Sequence, residues 1–260
     1  MPRQHRIKAP DTIFHITARG NAQQEIFTSS FENRLFLRLL GRVINEHGWS
    51  CHAYCLMVNH YHLVLEISKE NLSEGMHELN QRYAVMFNNL HDRIGHVFQS
   101  RFFSRIVTSD NYMMELVRYI LMNPVRAGLV EHPGSWPWNC YGEFLSAVPV
   151  QGMINRDLTL SLFSGDVHLA EAAFAEYIEA ACDKAFPWEA VREFLDGKTE
   201  KCVIRNSLSN IFSNPERQRN DQIAEAYYSN GYKLKEIAAF LGMSVSGVHK
   251  VLRPGSYAQK

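Results

Sequence analysis

The chain has 260 residues, 46% hydrophobic and 21% charged, which excludes wholesale disorder and fits one large domain or, the favoured reading, a catalytic domain of about 150 residues with an appendage. Twenty-seven Lys and Arg balance twenty-seven Asp and Glu, a neutral total that by itself speaks mildly against life on nucleic acid. No run of about 18 apolar residues occurs, and nothing behind Met1-Pro2-Arg3-Gln4-His5-Arg6 resembles a signal peptide, so a cytoplasmic location away from membranes is expected.

In chain order, Thr12-Ile13-Phe14-His15-Ile16-Thr17 alternates and is β-branched, then meets Arg19-Gly20-Asn21, which reads as a strand ending in a turn. From Phe31 to His47, apolar Phe31, Leu35, Leu39, Leu40 and Val43 recur at steps of three and four, and Gly48 marks a helix stop. Ser50 to Val58 and Tyr61 to Ile67 read as two strands separated at Asn59-His60. Leu72 to Leu90 reads as a long helix, Arg101 to Thr108 as a short strand, and Asn111 to Asn123 as a helix closed by Pro124. This order predicts an α+β, ferredoxin-like sandwich, an antiparallel sheet with helices on one face and one extra helix.

Beyond Trp136-Pro137-Trp138, residues 141–215 give amphipathic helical pieces broken at Pro149, Gly165, Pro187 and Gly197, without an assignable motif. From Arg219 the pattern sharpens. Asp221–Ser229, a turn at Asn230-Gly231, Leu234–Leu241, a turn at Gly242-Met243 and Ser244–Leu252 have helix-turn-helix spacing. Three domains follow: 1–145 catalytic, 146–215 helical and of unknown role, and 216–260 an all-α, DNA-binding helix-turn-helix. Charge divides similarly. Residues 1–140 hold 14 Lys or Arg against 12 Asp or Glu, residues 141–200 hold 4 against 11, and residues 201–260 hold 9 against 4.

Ten of the twelve histidines precede residue 133, so metal-ligating capacity is concentrated in the front domain. His60 and His62 stand two apart on a strand, so both imidazoles project from one face while Tyr61 points away. Such a pair can grip one metal ion, although two strand histidines bonded to neighbours would look the same. Tyr119 and Asn123 are four apart on a helix and share a face. Proline at 124 should end that helix and leave the Asn123 amide at an open terminus, where its carbonyl oxygen suits a hard ion such as Mg2+ or Mn2+ alongside imidazole. A core tyrosine with a capping asparagine gives the same pattern.

Four segments in order, His15-Ile16-Thr17-Ala18-Arg19-Gly20-Asn21, His60-Tyr61-His62, Gly95-His96-Val97-Phe98-Gln99-Ser100-Arg101-Phe102 and Arg118-Tyr119-Ile120-Leu121-Met122-Asn123-Pro124-Val125-Arg126-Ala127-Gly128-Leu129, together resemble the HUH single-tyrosine transposases, and within them the REP-associated tyrosine transposases. The resemblance spans roughly residues 8–145. It implies a ferredoxin-like fold and a divalent metal, Mg2+ or Mn2+, on His60 and His62 with Asn123 as third ligand. It also implies Tyr119 as the nucleophile that becomes linked to a DNA 5′-phosphate, with no small-molecule cofactor beyond the metal. The expected partner is single-stranded, hairpin or palindromic DNA with its flanking duplex, and the enzyme is expected as monomer or dimer. Two positions depart from the usual pattern: Val58 stands where relatives have proline, and Tyr61 where they have an aliphatic residue. Neither removes a ligand or the nucleophile.

Arg19, Arg101, Arg105 and Arg126 are candidate phosphate contacts, since guanidinium forks match phosphate, and Phe98 and Phe102 could stack on unpaired bases. In the last helix Ser244, Ser246, His249 and Lys250 would face DNA, with Val245, Val248 and Leu252 toward the core. Two other classes compete. A DNA-binding regulator would use the helix-turn-helix and keep the front domain as a relic. A zinc module would use Cys51 and Cys55, but the five cysteines include no second pair at finger spacing and suit reduced thiols better.

Overall fold

In the computed structural model, residues 10–145, 153–199, 208–212, 218–224, 226 and 234–252 are described. The break at Pro149, the turn at Asn230-Gly231 and Cys202 lie outside them. Strands β1 (Thr12–Arg19), β2 (Trp49–Leu56), β3 (His60–Ile67) and β4 (Phe103–Ile106) form one antiparallel sheet in the order β2-β3-β1-β4. β1 shows why the sheet has two unlike faces. Phe14, Ile16 and Ala18 are buried, while the alternate His15 and Thr17 are half-buried and Arg19 is exposed.

Helices α1 (Ser30–His47) and α2 (Leu72–Leu90) cover the apolar face. Tyr61 of β3 packs on Phe36 of α1, with ring centres 4.7 Å apart, and its hydroxyl donates to Oδ1 of Asn80 on α2 at 2.6 Å. Each helix joins two parallel strands with an antiparallel one between them, β3 inside β1-α1-β2 and β1 inside β3-α2-β4. That is the predicted ferredoxin-like sandwich. α1 starts at a capping box in which the Ser29 hydroxyl accepts from Glu32 N–H and the Glu32 carboxylate accepts from Ser29 N–H. Near the start of α2, Gly75 lets the helix approach Trp49, because a Cβ there would fall 2.4 Å from the indole.

Two local expectations are corrected. His60 is the first residue of β3 and not part of the break: Met57 N–H donates to His60 C=O at 2.8 Å, so Val58-Asn59 alone make a two-residue hairpin turn. Helix α3 (Asp110–Leu121), capped by the Ser109 hydroxyl accepting from Tyr112 N–H, stops before Asn123. Asn123 instead opens a further turn, α4 (Asn123–Arg126). Pro124 starts a helix there more readily than it ends one, since the first turn needs no N–H from it.

α3 lies against the second face of the sheet, where its Tyr119 meets His62 of β3. Short α5 (Tyr141–Phe144) and α6 (Asp157–Ser161) and the longer α7 (Val167–Glu179) follow, held partly by Phe144 and Phe174, whose rings stack at 4.5 Å. The chain divides into two units, Met1–Phe186 and Pro187–Lys260. In the second, α8 (Trp188–Leu195), α9 (Leu208–Ile211), α10 (Arg219–Ala224), α11 (Leu234–Leu241) and α12 (Val245–Val251) form. Ile211, Ile223, Ile237, Val248 and Leu252 share a buried cluster there. Among the described residues no helix is long and apolar enough to cross a membrane.

Candidate active site

Strand register decides which side chains meet on the second face. Thr17 pairs with His62 and Arg19 with His60 on β3, while His15 pairs with Arg105 on β4. Alternation therefore places His15, Thr17, Arg19, His60, His62 and Arg105 on one side of the sheet. The His60 and His62 rings are 5.1 Å apart and nearly perpendicular. His62 is 7% exposed and stacks on His15, with ring centres 5.3 Å apart. Nδ1 of His62 lies 3.0 Å from His15 Nε2 and 3.2 Å from Thr17 Oγ1. His60 Nδ1–H donates to Asn59 Oδ1 at 2.7 Å.

Both rings thus have Nδ1 engaged and offer Nε2, the arrangement in which an outer partner fixes a histidine ligand. Their charge state suits that use. Burial holds His60 down to about 4, assisted by Arg19. Burial drives His62 well below its usual range, with His15, His60 and Arg126 adding to the effect. His15 also sits at about 4, through burial and then Arg105. Neutral imidazoles keep the lone pair that a cation requires.

Tyr119 projects from α3 into the same space. It is half-buried, its ring centre is 6.2 Å from that of His62 at 86°, and the Arg126 guanidinium sits 4.5 Å from it. Asn123 is half-buried beside it in sequence. Its Nδ2 donates to Ile120 C=O at 3.4 Å, and among the described residues it makes no hydrogen bond to either histidine.

The other candidate contacts separate. Arg19 and Arg126 are exposed next to the histidines and the tyrosine, and Arg105 flanks His15. Arg101 is exposed on the loop that lines a groove of about 670 Å³ with α2 residues Met76, His77 and Asn80. The aromatic expectation is corrected: Phe102 is buried and Phe98 packs edge-on to Tyr61, whereas Phe103, 55% exposed and 5.8 Å from the Arg105 guanidinium, is the open ring on the histidine face. One step along β4 reverses the face, and no sequence cue fixed that parity.

On α12, Ser246, His249 and Lys250 are exposed, and the Ser244 hydroxyl caps the helix by accepting from Gly247 N–H. Val248 and Leu252 are buried as expected, but Val245 is 40% exposed, because it stands in the first turn, ahead of the buried stripe.

Cys51 and Cys55 are buried, and burial pushes both thiols far up, which opposes the thiolate that zinc needs. The three-ligand His/Cys/Asp/Glu group among the described residues is His132, Glu179 and Cys182. There His132 Nδ1 accepts from Gly134 N–H at 3.0 Å, so Nε2, 3.2 Å from the Glu179 carboxylate, carries the proton and offers no lone pair to an ion.

Sequence reasoning missed His15 and Thr17 as partners of His62. Both stand in the segment His15 to Asn21, but only strand pairing tells which β1 residues face the histidine pair.

Residues 8–123 match the family of IS200-like transposases. No curated protein matches the chain. A solved structure of a REP-associated tyrosine transposase bound to a REP hairpin is similar at 18% identity, covering 64% of this chain and 93% of that one, with a TM-score of 0.49.

Proposed function

We propose that this chain, whose residues 8–123 match the family of IS200-like transposases, is a metal-dependent endonuclease and strand transferase for single-stranded DNA that works through a 5′-phosphotyrosine at Tyr119. The observation that carries the reading is Tyr119 standing beside His62, one of two neutral imidazoles that share a face of the sheet.

His60 and His62 would hold the ion through Nε2, with Asn123 Oδ1 as the third ligand that the sequence resemblance implies. A divalent ion there supplies Lewis acidity to the scissile phosphate and stabilises the charge that develops on it. Tyr119 Oη loses its proton and attacks phosphorus. The bond between phosphorus and the 3′ oxygen breaks, and that oxygen gains a proton as the 3′-hydroxyl. The phosphodiester energy stays in the tyrosyl ester, so a 3′-hydroxyl can attack in reverse and join strands with no nucleotide cofactor. Arg19, Arg105 and Arg126 surround the reacting groups with fixed positive charge suited to phosphates, and Arg101 would meet DNA farther along its path.

The sequence resemblance makes hairpin or palindromic repeats the substrate class and the REP-associated tyrosine transposases the branch. Exposed Ser246, His249 and Lys250, with Ser244 at the helix start, suit the flanking duplex, with α12 as recognition helix. Cleavage of labelled single-stranded hairpins with Mg2+ or Mn2+, compared between wild type and Tyr119→Phe, tests the reading. Metal-dependent cleavage lost in the variant is expected. Binding without cleavage on any flanking repeat gives the regulator reading the lead.

A further inference from the structure

Directly before Tyr119 the chain carries a second, deeper cation. Arg118 is 3% exposed, and its Nη2 donates to the Glu115 carboxylate one turn earlier on α3. The guanidinium carbon lies 4.0 Å from the centre of the Tyr177 ring and 4.6 Å from that of Phe186. Its Nε has no acceptor among the described residues. Burial holds the Glu115 carboxyl above its usual range, against the pull of Arg118. Tyr177 stands near the end of α7 and Phe186 lies past the turn Ala180–Cys182. One short stretch of chain, 177–186, therefore closes over a cation of the helix that presents Tyr119.

We propose that Arg118 is a positioning residue for Tyr119 and that residues 177–186 are its brace, which gives part of the region beyond residue 145 a role in the chemistry. The inference rests on the reading of Tyr119 as nucleophile. A buried ion pair is a poor source of stability compared with apolar packing of similar volume, and its best-attested use is to fix one arrangement over its neighbours. Apolar residues such as Leu116 and Ile120 hold α3 in place by burial, which is non-directional. A guanidinium seated on two rings and a carboxylate adds orientation, because its plane and its fork are directional. Glu115, Arg118 and Tyr119 lie within about one helical turn, so a rotation or slip of α3 at Arg118 carries the Tyr119 ring from His62 by a similar distance.

The test uses the full-length protein with saturating single-stranded hairpin DNA and Mn2+, in single-turnover formation of the covalent adduct. Arg118→Met keeps the length and removes the charge, Arg118→Lys keeps a cation, and a double variant carries Tyr177→Leu with Phe186→Leu. Displacement of a reacting group by about 1 Å costs on the order of a hundredfold. Arg118→Met is expected to slow adduct formation by about ten- to a hundredfold, with DNA affinity and metal half-saturation unchanged. Lysine should recover part of the rate, and the double variant should reproduce the loss. Hydrogen exchange across residues 110–126 should rise in Arg118→Met and stay level in the sheet. A wild-type rate in Arg118→Met, or a deficit that cooling abolishes by restoring the folded fraction, overturns the proposal. Failure of the wild type to form any adduct removes the nucleophile reading instead. The exchange measurement then decides the brace alone, and unchanged protection of residues 110–126 overturns it.

Discussion

His15 Nε2 sits 3.0 Å from Nδ1 of His62 across the pairing of β1 and β3, with the two rings stacked. An outer partner of this kind orients a ligand and sets which nitrogen faces the metal. Losing one typically costs 10- to 100-fold in metal affinity or activity, as an order of magnitude. His15→Ala is therefore expected to raise the Mn2+ concentration for half-maximal cleavage by roughly that factor while DNA binding in chelator is unchanged. A metal titration identical to wild type would show that His62 needs no such support.

Phe103 is the exposed ring on the histidine face, close to Arg105. Stacking of an unpaired base on an aromatic ring contributes about 1–3 kcal/mol. Phe103→Ala should weaken affinity for single-stranded DNA about 5- to 150-fold on that scale and leave duplex binding alone. Fluorescence anisotropy with both DNAs checks this. Equal loss on both would assign Phe103 to general folding.

Tyr61, an unusual residue between two candidate ligands, points to the opposite face and donates to Asn80 Oδ1 at 2.6 Å. Tyr61→Phe leaves that oxygen without its donor and should cost about 1 kcal/mol in urea unfolding. The cleavage rate should not change, since the lost hydroxyl lies across the sheet from the histidines. A large fall in rate with intact stability would place Tyr61 in the chemistry.

The elements that surround the site were legible because their signals are local. Alternation gave β1, three- and four-residue steps gave α1, and two histidines two apart on a strand had to share a face. The rest depends on distant pairing. His15 became the partner of His62 only through the register of β1 on β3, and Phe103 displaced Phe102 through a parity that a short strand does not declare. Arg118 stood beside the tyrosine in the sequence, yet its partners Tyr177 and Phe186 lie more than fifty positions on, in a region with no motif. The proline after Asn123 predicts a helix end from sequence alone, whereas the chain uses that proline to begin a turn.

His15 and His60 are held near 4 against an ordinary 6.5, so protonation favours the unfolded chain. Their contribution to stability is whole above pH 6.5 and is lost as pH falls toward 4, up to about 3 kcal/mol for each. In chelator, the melting temperature should drop between pH 7 and pH 4.5, and His15→Asn should flatten part of that drop by removing one titrating ring. Parallel profiles for wild type and variant would contradict the assignment of His15.

The most direct measurement of the central claim is to map the covalent DNA adduct. After reaction with a single-stranded hairpin and Mn2+, nuclease trimming and proteolysis, mass spectrometry should find a nucleotide-phosphate on the peptide that contains Tyr119, and none when the metal is withheld. An adduct on another residue, or cleavage that leaves no protein-linked phosphate, would contradict the account.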